Sequence, residues 1–166
     1  MIPIQVVGYK NSGKTTLVHQ LVQLFTDQMT FRVATLKHHG HGGKPETVRQ
    51  TDSHLFSEAG AVISGVEGEG MLQLSVRQPS WEIDKILAFY QVLEMDVLLI
   101  EGYKQLSFPK FVLIRDEEDL LLVDQLSNVK AIVTSLMINP IDYPYPILKR
   151  EQVVEWVMEH LYLFEQ

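Results

Sequence analysis

Residues 2–16 read Ile2-Pro3-Ile4-Gln5-Val6-Val7-Gly8-Tyr9-Lys10-Asn11-Ser12-Gly13-Lys14-Thr15-Thr16. A short apolar run closes on a glycine, and Gly8 to Thr15 match G-x-x-x-x-G-K-[ST] without slack. Beyond it, Leu17, Leu21, Leu24 and Phe25 fall on one face of a helix over 14–28, with His19, Gln20, Gln23 and Asp27 facing away. In a strand, glycine loop and helix of this kind, successive backbone N–H groups turn inward as an anion nest at the positive end of the helix. The predicted loop is Gly8, Asn11, Ser12 and Gly13. Lys14 is predicted to reach the β- and γ-phosphates of a nucleotide, and the Thr15 hydroxyl to ligate Mg²⁺. Thr16 is placed to donate to a further phosphate oxygen.

Outward from this loop, strand and helix alternate. Residues 31–37 are β-branched and alternate as a second strand, and 46–59 carry Val48, Leu55, Phe56 and Ala59 at helical spacing before Gly60. Residues 61–66 and 71–76 flank Glu67-Gly68-Glu69-Gly70 as a β-hairpin. Ile83, Ile86, Leu87 and Tyr90 mark a helix after Ser80, and 97–100, 110–114 and 129–133 read as buried strands. Residues 149–164 form a closing amphipathic helix, with Val153, Val157 and Leu161 opposite Glu151, Glu155 and Glu159. The pattern predicts an α/β fold, a three-layer sandwich with a mainly parallel sheet, in which the hairpin adds an antiparallel pair.

The chain of 166 residues suits a single domain, and 46% hydrophobic with 21% charged residues is ordinary for a globular protein. Lys+Arg total 14 against Asp+Glu 21, a formal charge of -7, which speaks against an extended nucleic-acid surface. No cysteine is present, so disulfides, thiolate metal sites and cysteine nucleophiles are excluded. The start MIPIQVVGYK has no signal-peptide pattern and no apolar run reaches the ~18–20 residues of a membrane span, so the expected location is the cytoplasm.

A nucleotide site of this kind needs a carboxylate at the end of a neighbouring buried strand. Val97-Leu98-Leu99-Ile100-Glu101-Gly102 supplies four apolar residues, an acid and a glycine, and Glu101 is predicted to serve the metal or the attacking water. Asp52 has two readings. On a helix over 46–59 it shares the apolar face of Val48, Leu55 and Ala59, where a carboxylate requires a partner or a metal; on a helix beginning after it, it is an N-cap. Lys37, His38, His39 and His41 with Lys44 follow the second strand in a glycine-rich loop, where ligand contacts gather in open sheets. Contact with phosphate or a partner's substrate, a plain polar loop, and a metal cluster are the three readings of it. His19, His160, Trp81 and Trp156 read as structural, and Glu117-Glu118-Asp119 as a solvated turn.

VVGYKNSGKTTL, TLKHHGH, the Asp52-Ser53 to Ala59-Gly60-Ala61 block, LLIEGYK at 98–104, and Pro109-Lys110 leading to Ile114-Arg115 resemble, in this order, the MobB family of molybdopterin-guanine dinucleotide biosynthesis adaptor proteins. The resemblance implies a P-loop GTP-binding fold with Mg²⁺, weak hydrolysis and a homodimer. It also implies assistance to the MobA-like guanylyltransferase that joins a guanine nucleotide to molybdopterin. It places Asn11 to Thr16, Glu101 and Gly102 at the nucleotide. Lys37, His38, His39, His41 and Asp52 come near the phosphates, and Tyr103 and Lys104 complete the E-G-Y-K motif. No [NT]-K-x-D guanine-reading motif occurs, and Asp142 is the candidate for the base edge. Tyr9 stands where a second signature lysine would mark a ParA- or MinD-like mechanism. The loop 42–50 is shorter and less acidic than the family pattern.

Two other functions use the same scaffold, a small-molecule kinase and a non-catalytic nucleotide-sensing module. The five arginines, Arg32, Arg49, Arg77, Arg115 and Arg150, do not cluster in sequence as a kinase lid would.

Overall fold

The computed structural model describes residues 1–39 and 52–165. They belong to two compact units, one of residues 1–41 with 90–166 and one of residues 42–89. In chain order the strands are β1 (Ile2–Gly8), β2 (Val33–Lys37), β3 (Ile63–Gly68), β4 (Met71–Val76), β5 (Val97–Glu101), β6 (Lys110–Ile114), β7 (Val129–Thr134) and β8 (Ile147–Leu148). The α-helices are α1 (Lys14–Gln23), α2 (Asp52–Glu58), α3 (Ile83–Val92) and α4 (Val153–His160).

The first unit holds a six-stranded sheet in the order β2-β5-β1-β6-β7-β8. Every pairing in it is parallel. Strands of such a sheet are buried on both faces, which is why β1, β5 and β6 read as apolar runs, broken by Gln5, Glu101 and Lys110, rather than alternating. Ile4, Val6 and Val7 are fully buried, as are Val97 to Ile100. On one face, Leu17, Leu21, Leu24 and Phe25 pack with Phe111, Val153, Val157 and Phe164. Trp156 meets Phe111 edge-on at 5.7 Å, as its structural reading expects. On the other face, Val7, Val112, Ile114 and Ile132 pack against Leu122 and Val123.

Several boundaries differ from the sequence reading. α1 stops at Gln23 and a π-helical turn carries Leu24–Gln28. The closing segment is α only over Val153–His160, with 3-10 turns at Arg150–Gln152 and Leu161–Phe164, the tighter winding common at helix ends. Glu117 to Asp119 are not a free turn but the start of a 3-10 helix, Glu117–Gln125. Asp119 accepts there from the Arg115 and Asp116 amides at 2.9 and 3.3 Å. Acids suit that end because its N–H groups lack partners. β8 falls in the proline-rich stretch and is too short to show a period.

In the second unit, β3 and β4 pair antiparallel with each other and form a separate two-stranded sheet, so the expectation that the hairpin joins the main sheet fails. The pair is closed locally by a two-residue turn, in which Glu69 and Gly70 both take positive φ, 50° and 80°. The described part of α2 begins at Asp52; residues 40–51, with the start expected at 46, lie outside the described residues.

Candidate functional site

All six parallel strands end on one edge, and that edge carries the predicted site. The chain leaves β1 at Gly8, which must be glycine on contact grounds. A Cβ there would lie 2.5 Å from Ser12 Oγ and 2.8 Å from the Leu113 carbonyl oxygen, a backbone atom that cannot swing aside. Asn11 and Gly13 take left-handed φ of 63° and 90°, which turns the loop back so that α1 begins at Lys14. The residues from Gly8 to Thr15 therefore form the strand–loop–helix that their spacing predicts, and Thr16 lies exposed on the first turn of α1.

Lys14 Nζ donates to the Tyr9 carbonyl at 2.6 Å, across the loop. Partial burial lowers its pKa from the ordinary lysine value, with Lys104 and Lys37 adding to the effect and Glu101 and Asp119 opposing it. A cation under that pressure gains when an anion arrives.

Glu101 ends β5, paired in register with Val6 of β1 and with Lys37 of β2. It is a buried carboxylate, 8% exposed, and needs partners. Thr15 Oγ1 donates to its Oε2 at 3.0 Å, and Lys37 Nζ lies 3.0 Å from its Oε1 and 3.4 Å from the Thr15 hydroxyl. Two hard oxygens, one on α1 and one on β5, thus converge beside the Gly8 to Thr15 loop. Such a set suits Mg²⁺, which is held by one or two carboxylate or hydroxyl oxygens and keeps waters and phosphate oxygens for the rest of its shell. Among the described residues no group of three or more His, Asp or Glu side chains is gathered for a metal.

Residues that sequence reasoning left unassigned hold this corner together. Gln5 is fully buried in β1, and its Nε2 donates to the carbonyls of Gly102 and Tyr103 at 2.6 and 2.7 Å. Both of those residues take positive φ, 91° and 53°, so Gln5 fixes the sharp turn that follows Glu101. The signal was present: one amide inside the otherwise apolar IPIQVVG. Lys104 Nζ sits 3.7 Å above the Tyr9 ring, a cation–π contact joining E-G-Y-K to the phosphate loop. The His38 amide donates to the Glu101 carbonyl at 2.9 Å, and its ring lies 4.3 Å from that of Tyr103. Lys37 and His38 thus meet the Glu101 corner, and His39 follows, exposed. His41 lies outside the described residues. Asp52 is the first residue of α2, exposed, in the second unit, where its neighbours Leu55 and Phe56 are also exposed.

Arg150 is the other residue missed. It follows β8, and its guanidinium lies over the phosphate loop: a Cβ on Gly13 would overlap its Nη2 and come within 2.9 Å of its Cζ. Nothing local in the sequence points from Arg150 to Gly13; the parallel order of β1 and β8 brings them to one edge.

Comparison with known proteins identifies the family. The family model described as "Molybdopterin guanine dinucleotide synthesis protein B" (MobB) matches residues 3–135. A relative from Bacillus subtilis (strain 168), named "Probable molybdopterin-guanine dinucleotide biosynthesis adapter protein", is 42% identical over 131 residues, 78% of this chain and 74% of its own. A crystal structure of a MobB homolog from Bacillus stearothermophilus superposes with a TM-score of 0.77 at 36% identity, covering 98% of this chain and 99% of that one. Bacillus subtilis MobB gives 0.80 at 34% identity, over 96% and 97%. On the strength of these matches, this chain belongs to the MobB family.

Proposed function

We propose that this protein is a GTP-binding adaptor with slow Mg²⁺-dependent GTPase activity, acting in the cytoplasm in molybdopterin-guanine dinucleotide biosynthesis beside a MobA-like guanylyltransferase and its molybdopterin substrate. The convergence of Thr15 and Glu101, 3.0 Å apart beside Lys14, carries the nucleotide part of this reading. The names of the relatives carry the pathway. No helix among the described residues is long and apolar enough to cross a membrane.

In this reading the loop amides and Lys14 hold the β- and γ-phosphates. Thr15 and Glu101 would hold Mg²⁺, whose charge neutralises that developing on the transferred group. Glu101 also accepts a hydrogen bond from the attacking water and so orients it. Lys37, 3.0 Å from Glu101 and 3.4 Å from the Thr15 hydroxyl, would add a positive charge beside the γ-phosphate. Slow turnover fits the arginines: Arg115 is paired with Asp116, Arg32 with Glu94 and Arg77 is bonded to Ser57, which leaves Arg150 as the single described arginine beside the loop, where several would be needed. A kinase lid needs several cations over the transferred group, and that reading loses support for the same reason. A homodimer is part of the proposal. The hairpin exposes Ile63, Val66, Met71 and Leu72, each more than half exposed, and a two-stranded sheet alone is marginally stable.

Calorimetric titration of GTP, GDP and ATP with and without Mg²⁺, repeated with the guanylyltransferase present, tests the proposal. Binding that prefers GTP, needs Mg²⁺ for the triphosphate and falls by about 100-fold in Lys14→Ala with the fold intact is the expected result. Unchanged GTP affinity in that variant would overturn the site.

A further inference from the structure

We propose that Arg150 reads the nucleobase, pairing its guanidinium with the O6 and N7 acceptors of a 6-oxopurine. This rests on the nucleotide reading above and adds how the base is chosen.

The sheet sets the direction in which a nucleotide lies. Glu101 and Lys37, which face the terminal phosphate, end β5 and β2 on one side of β1. With the phosphates over the loop at the end of β1, the nucleoside extends to the other side, over the ends of β6, β7 and β8. A cavity of about 140 Å³ opens there, lined by Asn11, Ser12, Arg115, Thr134, Ser135 and Arg150 among others. Sites enclosing a whole drug-sized ligand run to about 300–1,000 Å³, so this one takes a single ring system. Its lining holds an unspent polar group: Ser12 Oγ is buried, 7% exposed, with no hydrogen-bond partner among the described residues. The Thr134 hydroxyl accepts from the Leu136 amide at 3.0 Å, which fixes the turn behind it.

Arg150 is placed for this role. Its guanidinium has no ion pair or hydrogen bond with a described residue, and Gly13 has no side chain to push it away. A guanidinium offers two parallel N–H donors, which match the adjacent O6 and N7 acceptors of guanine; adenine sets its N6 donor against the same fork. The usual guanine reader is a carboxylate on N1 and N2. No [NT]-K-x-D motif is present, and Asp142, the earlier candidate, is exposed at the end of a 3-10 turn and does not line the cavity. The 2-amino group is then unread, so hypoxanthine serves as well as guanine. Arg150 also lies outside residues 3–135, the part matched by the family model.

The test titrates the intact protein with GTP, ITP, ATP and inorganic triphosphate in Mg²⁺, for the wild type, Arg150→Ala and Arg150→Lys. The wild type should bind GTP and ITP alike and ATP about 10- to 100-fold more weakly. Arg150→Ala should bring GTP and ITP to the ATP level and leave inorganic triphosphate unchanged. Arg150→Lys, which keeps the charge and loses the fork, should do the same. ITP binding much weaker than GTP would place the reader at the 2-amino group and overturn the proposal. Equal weakening of all four ligands in Arg150→Ala would make Arg150 a phosphate clamp and overturn it too. Triphosphate binding that depends on Lys14 without any base preference would sink this inference and leave the site standing. No binding of any of the four would remove both.

Discussion

The two compact units manage their apolar residues in opposite ways. In the first, the sheet and α1 bury Ile4, Leu17, Leu99, Phe111 and many others to 0% exposure. In the second, the only described residues that are buried are Ser57 and Ser64, while Leu55, Phe56, Met71 and Leu72 stand more than half exposed. The first unit carries its own hydrophobic driving force; the second has apolar surface to offer. The site follows this division, since its geometry comes from strand ends that the buried sheet holds in register.

The comparison is open to direct attack. Phe111→Ala empties the centre of the first core and should cost about 3–5 kcal/mol by denaturant unfolding. A loss under 1 kcal/mol would mean that the core collapses around the gap and is less rigid than its packing suggests.

Lys110 tests the same core from its polar side. It is fully buried, its Nζ donates to Leu106 and Ser127 carbonyls at 2.6 and 2.7 Å, and desolvation lowers its pKa to about 8. Between that pH and the ordinary lysine range the unfolded chain binds a proton that the folded chain does not, so stability rises with pH. The rise should reach about 3 kcal/mol in the wild type and be missing in Lys110→Met. Parallel profiles for the two proteins would remove Lys110 as the cause.

Glu101→Gln keeps the shape of the corner and removes its charge. It should cost about 1 kcal/mol of stability and slow GTP hydrolysis at least about tenfold, more than it weakens GTP binding. Wild-type turnover would take Glu101 out of the mechanism.

The smallest effect belongs to the second unit. Leu72→Ser should change stability by less than about 0.5 kcal/mol in dilute solution, where the side chain is exposed, and should weaken self-association in sedimentation. A loss as large as that of Phe111→Ala would show that the hairpin has a core of its own.

Much of the fold was legible because its signals are local. Val97-Leu98-Leu99-Ile100 reads as a doubly buried strand from composition alone, and the loop from Gly8 to Thr15 from spacing alone. β8 was not legible, because two residues, Ile147 and Leu148, carry no period. The fate of the hairpin was not legible either: alternation shows that two strands pair with each other, but not which sheet they join. In the site, Lys14, Thr15 and Glu101 could be named from sequence, since each sits at a motif position. Gln5 stood out as one amide in an apolar run, but its partner Gly102 could not be named, and Arg150 carried no local signal at all, because Gly102 and Gly13 are distant from them in the chain.

By itself, the sequence determined the strand, loop and helix around Gly8 to Thr15, the parallel α/β class and the acid at the end of β5, since these depend on residue type and near spacing. Tertiary structure alone decided the strand order. That order sets Glu101 and Lys37 on one side of the loop and Arg150 on the other. The physical reason is that a parallel sheet collects its strand ends on one edge whatever their separation along the chain, so side chains far apart in sequence become neighbours only once the sheet is packed.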